Sequence, residues 1–383
     1  MKIFRAIIPS IKKSLFKEGK KKVCIIYGPR QAGKTTLVKY LLKEYPEKAE
    51  YFNCDYLDVR ETFSSENINR LAHITKGLKL LVLDEAQRIE NIGVTLKILV
   101  DEHPHVQIIA TGSSSFDLSN KIKEPLTGRK IEFYLFPFSF NELFANKNSL
   151  EQIRCIEHFL RFGSYPEISQ LNEMEAKQSL QELTGSYLFK DIFTFQQLRK
   201  PEMLIKLLRL LAFQVGSQVS FHELATQLGV DQSIVQKYIH LLEEALIIFR
   251  LGAFKRNLRS EISKSRKIYF WDLGIRNAII ENFNSLELRN DVGVLWENFC
   301  VAERIKYLRN NQLYANTYFW RTYSQKEIDY LEEKEGKLLA MEFKWNDRKK
   351  SRTLKDFFTA YPETHLTTIT PNNVSSLFQE DFH

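Results

Sequence analysis

The sequence predicts an α/β protein. Its amino-terminal part reads as a parallel sheet with helices on both faces, followed by a helical segment and a second α/β region. Three observations predict this. Residues 28–35 read GPRQAGKT between an apolar run (residues 22–27, KVCIIY) and an amphipathic stretch (residues 36–42, TLVKYLL). A second, mostly apolar run, residues 78–83, ends in Asp84-Glu85. Runs of strand length then alternate with helical periods as far as residue 135, as a parallel sheet with crossover helices requires.

The pattern G-x-x-x-x-G-K-[ST] between a strand and a helix is a phosphate-binding loop. Gly28 and Gly33 are expected to let the backbone turn tightly and aim its N–H groups inward. The expected nucleotide-binding set is Gly28, Pro29, Arg30, Gln31, Ala32, Gly33, Lys34, Thr35 and Thr36, with the Arg30 side chain pointing outward. The helix opening at Lys34 adds the positive end of its dipole. Lys34 is the expected point charge for the β/γ-phosphates and the Thr35 hydroxyl a ligand for Mg²⁺. The implied ligand is a nucleoside triphosphate, ATP with Mg²⁺.

An apolar strand ending in two acids places metal and water chemistry at the sheet edge. Asp84 is expected to hold Mg²⁺ through water, and Glu85 to orient and deprotonate the attacking water. A third run, residues 106–111, opens into Gly112-Ser113-Ser114-Ser115. Ser113 or Ser114 there can sense the γ-phosphate. Strands at residues 50–54 and 130–135 bring the expected count to five, with nucleotide at the carboxyl edge.

The strings IIYGPRQAGKTTL, LLVLDEAQRI, ATGSSSFDL, LTGRK and FPFSFNEL, then FGSYPE, YFWDLGIRNAI and LWENFCVAE, resemble the prokaryotic AAA-type ATPases that carry a C-terminal domain of unknown function. These are cousins of the archaeal ATPases and of signal-transduction ATPases. The resemblance spans about residues 1–350 and implies four parts: an AAA-type P-loop ATPase (residues 1–145), a helical lid (146–200), a winged helix (201–255) and a nuclease-like domain (256–383). It also suggests Arg129, in LTGR, as the arginine that senses or stabilises the γ-phosphate, in its own subunit or a neighbour's. Pairing of Arg129 with Glu132 or a helix end is the structural alternative.

From residue 148 to about residue 200 the chain reads as helices, interrupted at FGSYPE. Further on, Ser220 is a natural N-cap with Glu223 three residues later, Gly229 closes that helix, and Asp231 caps the next. This is a helix-turn-helix, with residues 246–251 available as a wing strand. Its second helix is expected to expose Gln232, Ser233, Gln236, Lys237 and His240, groups able to meet bases or phosphates. Glu243 and Glu244 follow, and winged helices also serve as protein-contact modules.

In the last region Asp329 and Glu342 fall near the ends of strand-like runs joined by a turn at residues 334–337, with Lys344 on the same face as Glu342. Glu297, on an apolar helix, can complete the set. The order Glu, Asp, Glu-x-Lys resembles the PD-(D/E)XK restriction-endonuclease-like fold, in which acids hold Mg²⁺ and the lysine stabilises hydroxide or phosphate. That resemblance makes Glu297, Asp329 and Glu342 candidate metal ligands and Lys344 a candidate catalytic group. Asp347 and residues 348–350 can extend a phosphate-binding rim.

The chain of 383 residues carries a formal charge of +8, which suits an anionic partner such as nucleic acid. No apolar run approaches the ~18 residues of a membrane helix. Residues 1–16 are broken by Arg5, Pro9, Lys12 and Lys13, unlike a signal peptide. Cys24, Cys54, Cys155 and Cys300 are scattered, as expected of reduced thiols in the cytoplasm. Two readings follow. One is an ATPase, in one or several copies, whose cycle drives a nucleic-acid-engaging C-terminal half. The other is a nucleotide-dependent switch or scaffold whose degenerate C-terminal half binds a partner protein.

Overall fold

Strands rich in Val, Ile and Leu on both faces belong in the middle of a sheet covered by helices, and the first sheet is built that way. The computed structural model describes residues 4–16, 19, 21–45, 47–112, 118, 121–122, 124–188, 201–255, 266–322, 326–346 and 355–380. The chain divides into two units, Met1–Pro137 with Glu244–Leu246, and Phe138–Glu243 with Ile247–His383.

The first unit contains α1 (Ile8–Leu15), β1 (Val23–Tyr27), α2 (Lys34–Glu44), β2 (Ala49–Asn53), α3 (Leu57–Ser64), α4 (Ile68–Thr75), β3 (Leu80–Asp84), α5 (Ile92–Glu102), β4 (Gln107–Gly112) and β5 (Lys130–Tyr134). Its strands pair in the order β2-β3-β4-β1-β5, all parallel. The five expected strands are present. Alternate residues face opposite ways, so Ile25, Leu81, Leu83 and Ile108 pack with Phe63, Leu71 and Leu96 of α3, α4 and α5. Ile26, Leu80, Val82 and Ile109 pack with Ile11, Leu37 and Leu41 of α1 and α2 on the other face. Because β4 lies between β1 and β3, Tyr27 stands beside Gly112 and Leu83 beside Ala110. Three strand ends therefore meet at one edge.

The second unit contains α6 (Phe140–Phe144), α7 (Ser149–Phe162), α8 (Glu173–Glu182), α9 (Pro201–Phe213), α10 (Phe221–Leu228), α11 (Gln232–Glu244), β6 (Ile248–Ala253), β7 (Arg266–Phe270), α12 (Leu273–Ile279), α13 (Val292–Asn310), β8 (Asn316–Arg321), β9 (Glu327–Lys334), β10 (Lys337–Phe343), α14 (Lys355–Ala360) and β11 (His365–Ile369). Capping boxes open three of these helices, from Ser139 with Glu142, Asn148 with Glu151 and Asn172 with Glu175. The FGSYPE string is the stop of α7. Gly163 has φ 71°, and a Cβ there would lie 2.1 Å from the Asp272 carboxylate. Asp272 accepts from Ser164 N–H at 2.8 Å and caps α12 through Ile275 N–H at 3.1 Å.

The expected helix-turn-helix is α10 and α11. The Ser220 hydroxyl accepts from Glu223 N–H at 3.3 Å, and Gly229, at φ 64°, ends α10. Behind it β6 and β7 pair antiparallel, with an isolated bridge from Gln218 to Lys267. The boundary expected at residue 255 does not separate two bodies. β6 also pairs in parallel with β8, so one six-stranded sheet, β11-β10-β9-β8-β6-β7, runs across it. The turn at residues 334–337 is a two-residue hairpin with Glu335 at φ 53° and Gly336 at φ 81°.

Candidate functional sites

The phosphate loop leaves β1 and enters α2 at the carboxyl edge of the first sheet. Gly33, the N-cap of α2, has φ 93°, and Gln31 takes the other left-handed turn at φ 60°. Gly28 serves close approach rather than a positive φ: a Cβ there would sit 2.5 Å from the Leu135 carbonyl oxygen. Arg5, unremarked in the sequence except as a charge, donates to Ala32 O at 3.1 Å and also to Phe136 O, pinning the loop from outside. Lys34 Nζ donates to Gly28 O at 2.9 Å and Pro29 O at 3.1 Å. With a side chain only 4% exposed, it is folded over the loop it serves. Arg30 is half-buried and Thr36 exposed.

Asp84 ends β3 and is 2% exposed. Its Oδ2 accepts from the Thr35 hydroxyl at 2.7 Å and the Tyr51 hydroxyl at 2.7 Å, while Oδ1 accepts from the Thr111 hydroxyl. The Thr111 oxygen in turn accepts from Glu85 N–H at 3.1 Å. Thr111 and Tyr51 are site residues that sequence reading missed; the hydroxyl sought on this strand was Ser113 or Ser114, and both lie outside the described residues. Burial, then the bond to Asp84, raises the Tyr51 phenol, so it stays a donor. Glu85 has φ 56° and points Oε1 to within 3.9 Å of Lys34 Nζ. Its Oε2 accepts from Gln87 Nε2 at 2.6 Å. A carboxylate fixed beside the phosphate loop, with a second carboxylate next to it, fits Mg²⁺ and a bound water.

Arg129 is not at this edge. It precedes β5, whose Lys130 pairs with Val23 at the start of β1, and its carbonyl accepts from Val23 N–H. A five-residue strand, roughly 17 Å, separates it from the loop of its own sheet. Its guanidinium is held instead by Asp101, at 2.9 and 3.2 Å. In a parallel sheet the residue before a strand faces the edge opposite the phosphate loop, so of the placements left open for Arg129, its own subunit's phosphate or a neighbour's, the first is not met in this chain, and its partner is Asp101 rather than Glu132.

In the second unit a carboxylate cluster forms, with altered membership. One oxygen from each of Glu297 on α13 and Glu327 and Asp329 on β9 lies within 4.8 Å of the others. Glu342 is outside that group among the described residues. Its Oε2 and Asp329 Oδ2 flank Lys344 Nζ at 3.6 and 3.7 Å. Glu327 was missed although its i, i+2 spacing from Asp329 puts both on one face of a strand. Lys267 on β7 was missed too. Its Nζ donates to Glu297 Oε1 at 2.8 Å and to Glu327 Oε1 at 2.5 Å, and Tyr269 donates to the same Glu297 oxygen at 2.7 Å. Burial lowers the Lys267 ammonium, but Glu297 and Glu327 more than offset it and the net direction is up. Burial and then Glu297 push Asp329 up to about 7. Asp347 and residues 348–350 lie outside the described residues.

On α11 the residues expected on the outer face, Gln232, Ser233, Gln236, Lys237 and His240, are exposed. Glu243 turns to pair with Arg250 on β6. No helix among the described residues is long and apolar enough to cross a membrane.

Residues 20–144 match the model of the AAA domain. Residues 154–286 and 292–380 match two domains of unknown function, DUF8612 and DUF4143. An uncharacterized protein of Mycobacterium tuberculosis is 28% identical over 84% of this chain and 70% of its own length. One of Methanocaldococcus jannaschii is 24% identical over 91% of this chain and 80% of its own. Among solved structures, the Aeropyrum pernix ORC1 protein in complex with DNA is 14% identical, covering 72% of this chain and 91% of that one, with a TM-score of 0.33. The Thermotoga maritima RuvB Holliday junction branch migration motor is 16% identical, covering 68% and 89%, with a TM-score of 0.29. The segment that matches the AAA domain, residues 20–144, thus holds the loop, the two strand-end acids and the parallel sheet, and the two segments after it match domains of unknown function.

Proposed function

We propose that this chain binds and hydrolyses MgATP and that the cycle acts on a second unit that engages nucleic acid. The observation that carries the reading is the meeting of Lys34, Thr35, Asp84 and Glu85 at one sheet edge. On ATP binding Lys34 exchanges two loop carbonyls for β/γ-phosphate oxygens. Thr35 and Asp84 are the residues that would hold Mg²⁺, which when bound neutralises charge on those oxygens. Glu85 takes a proton from water as the water oxygen bonds to the γ-phosphorus and the bond to the ADP oxygen breaks. Arg129 belongs to this reading only as a group supplied to a neighbouring copy.

For the second unit we propose a winged helix, supported by α10, α11 and the β6–β7 hairpin, followed by a restriction-endonuclease-like body. Contact with DNA would be mainly electrostatic, since Lys237 is the only cation on the exposed α11 face and the net charge is +8. One observation favours the second reading, a switch that recruits a protein: the carboxylate cluster already holds a lysine. Calorimetry with ATP, together with mixed mutants, tests the proposal. Lys34→Ala is expected to lose ATP affinity, and mixing it with Arg129→Ala to restore turnover that neither has alone. No restoration at any ratio refutes the trans arginine, and unchanged ATP affinity of Lys34→Ala refutes the site.

A further inference from the structure

By distance alone the Glu297, Glu327 and Asp329 oxygens could share a metal ion. The centre is already taken. Lys267, with a side chain 2% exposed, donates to one oxygen of Glu297 and one of Glu327, and its ammonium lies 5.4 Å from the Phe319 ring centroid. A dication drawn to the same oxygens would stand ~3–4 Å from that ammonium, where little water screens the repulsion. The rest of the cluster is balanced the same way. Lys344 stands between Asp329 and Glu342, and Arg321 Nη1 lies 3.3 Å from Glu327 Oε2. Glu342 Oε2 is buried with no hydrogen-bond partner among the described residues, so its ion pair with Lys344 is what offsets its charge.

The backbone keeps Lys267 there. Its residue pairs with Leu251 of β6 on one side and bridges to Gln218 on the other. Withdrawal of the ammonium therefore means moving the hairpin or leaving two half-buried carboxylates facing one another. We propose that Lys267 is the resident cation of this cluster, and that Glu297, Glu327 and Asp329 form an internal ion-pair lock joining β7 to α13 and β9, closed to divalent metal while Lys267 is in place. The acid pattern that resembles a nuclease metal site thus serves cohesion of the second unit. This holds or fails independently of ATP hydrolysis.

The test is a Mn²⁺ titration of the nucleotide-free full chain, read by calorimetric Tm and by the EPR signal of bound Mn²⁺. Wild type is expected to respond no more than Asp329→Asn, a variant that removes one ligand and leaves the phosphate loop alone. Lys267→Met is expected to melt lower than wild type and to regain about 5 °C with Mn²⁺ in ~100-fold excess over its Kd. The double variant Lys267→Met/Asp329→Asn should lose that gain, and Lys267→Arg should behave as wild type. A Mn²⁺ response of wild type that Asp329→Asn abolishes overturns the proposal, even if Lys267→Met fails to fold. A folded Lys267→Met that gains nothing from Mn²⁺ overturns it as well.

Discussion

At the scale of single residues, the Asp84 carboxylate is held by three hydroxyl donors. A carboxylate offers about four lone-pair directions. Among the described residues, Thr35, Tyr51 and Thr111 occupy three of them, and the fourth suits a metal-bound water. Tyr51 acts through Asp84 and is a positioning residue. The Lys39 ammonium of α2 lies over its ring, 5.3 Å from the centroid. Tyr51→Phe removes one donor and lets the carboxylate rotate, while leaving the phosphate loop intact. The expected result is a gap between MgATP and metal-free ATP affinity narrowed about tenfold, in line with a hydrogen bond to a charged group, with metal-free affinity unchanged. An equal fall in both affinities would mean that Tyr51 only supports the fold.

At the scale of elements, chain-local patterns were legible and strand order was not. The phosphate loop, the acid pair at the end of β3 and the caps at Ser220 and Gly229 are set by neighbours in sequence, so they could be read directly. Thr111 meets Asp84 only because β4 lies between β1 and β3. Arg129 is six residues before Leu135, which closes on Gly28, yet the direction of β5 sends it to the far edge. Lys267 joins Glu297 and Glu327 because β6 and β7 extend the sheet of β8, a pairing no local pattern announces. The same unit gives an element-scale prediction. Asp291, just before α13, bonds Arg276 of α12 at 2.7 Å and Arg289 at 2.8 Å. Burial raises this carboxyl, but the bond to Arg289 and the charge of Arg276 win and hold it at about 2. A depressed folded-state pKa stabilises above the ordinary carboxylate value of about 3.9 and loses that stabilisation as pH falls towards 2. Asp291→Asn should therefore melt below wild type at neutral pH, and the difference in Tm should shrink through that acid window. A difference that stays constant into acid would show that the contact is not ionic.

At the scale of the whole molecule, one chain joins a first unit in which Lys34, Thr35, Asp84 and Glu85 meet at one sheet edge to a second unit in which Lys267 and Lys344 lie among Glu297, Glu327, Asp329 and Glu342. The formal charge of +8 suits a polyanion, and binding by counterion release falls steeply with salt; binding insensitive to salt would transfer weight to a protein partner. What everything rests on is whether the site at the edge of the first sheet performs chemistry. Glu85 beside Lys34 is the group that separates binding from turnover, since a neutral amide at that position cannot take the proton of water. The decisive measurement is single-turnover hydrolysis of MgATP by wild type and Glu85→Gln, at ATP concentrations matched by calorimetry to equal occupancy. Wild type should form ADP and phosphate, and Glu85→Gln should bind ATP comparably yet hydrolyse it about 10²–10⁴-fold more slowly. Equal rates in the two proteins, or no ATP bound by wild type, would contradict the assignment.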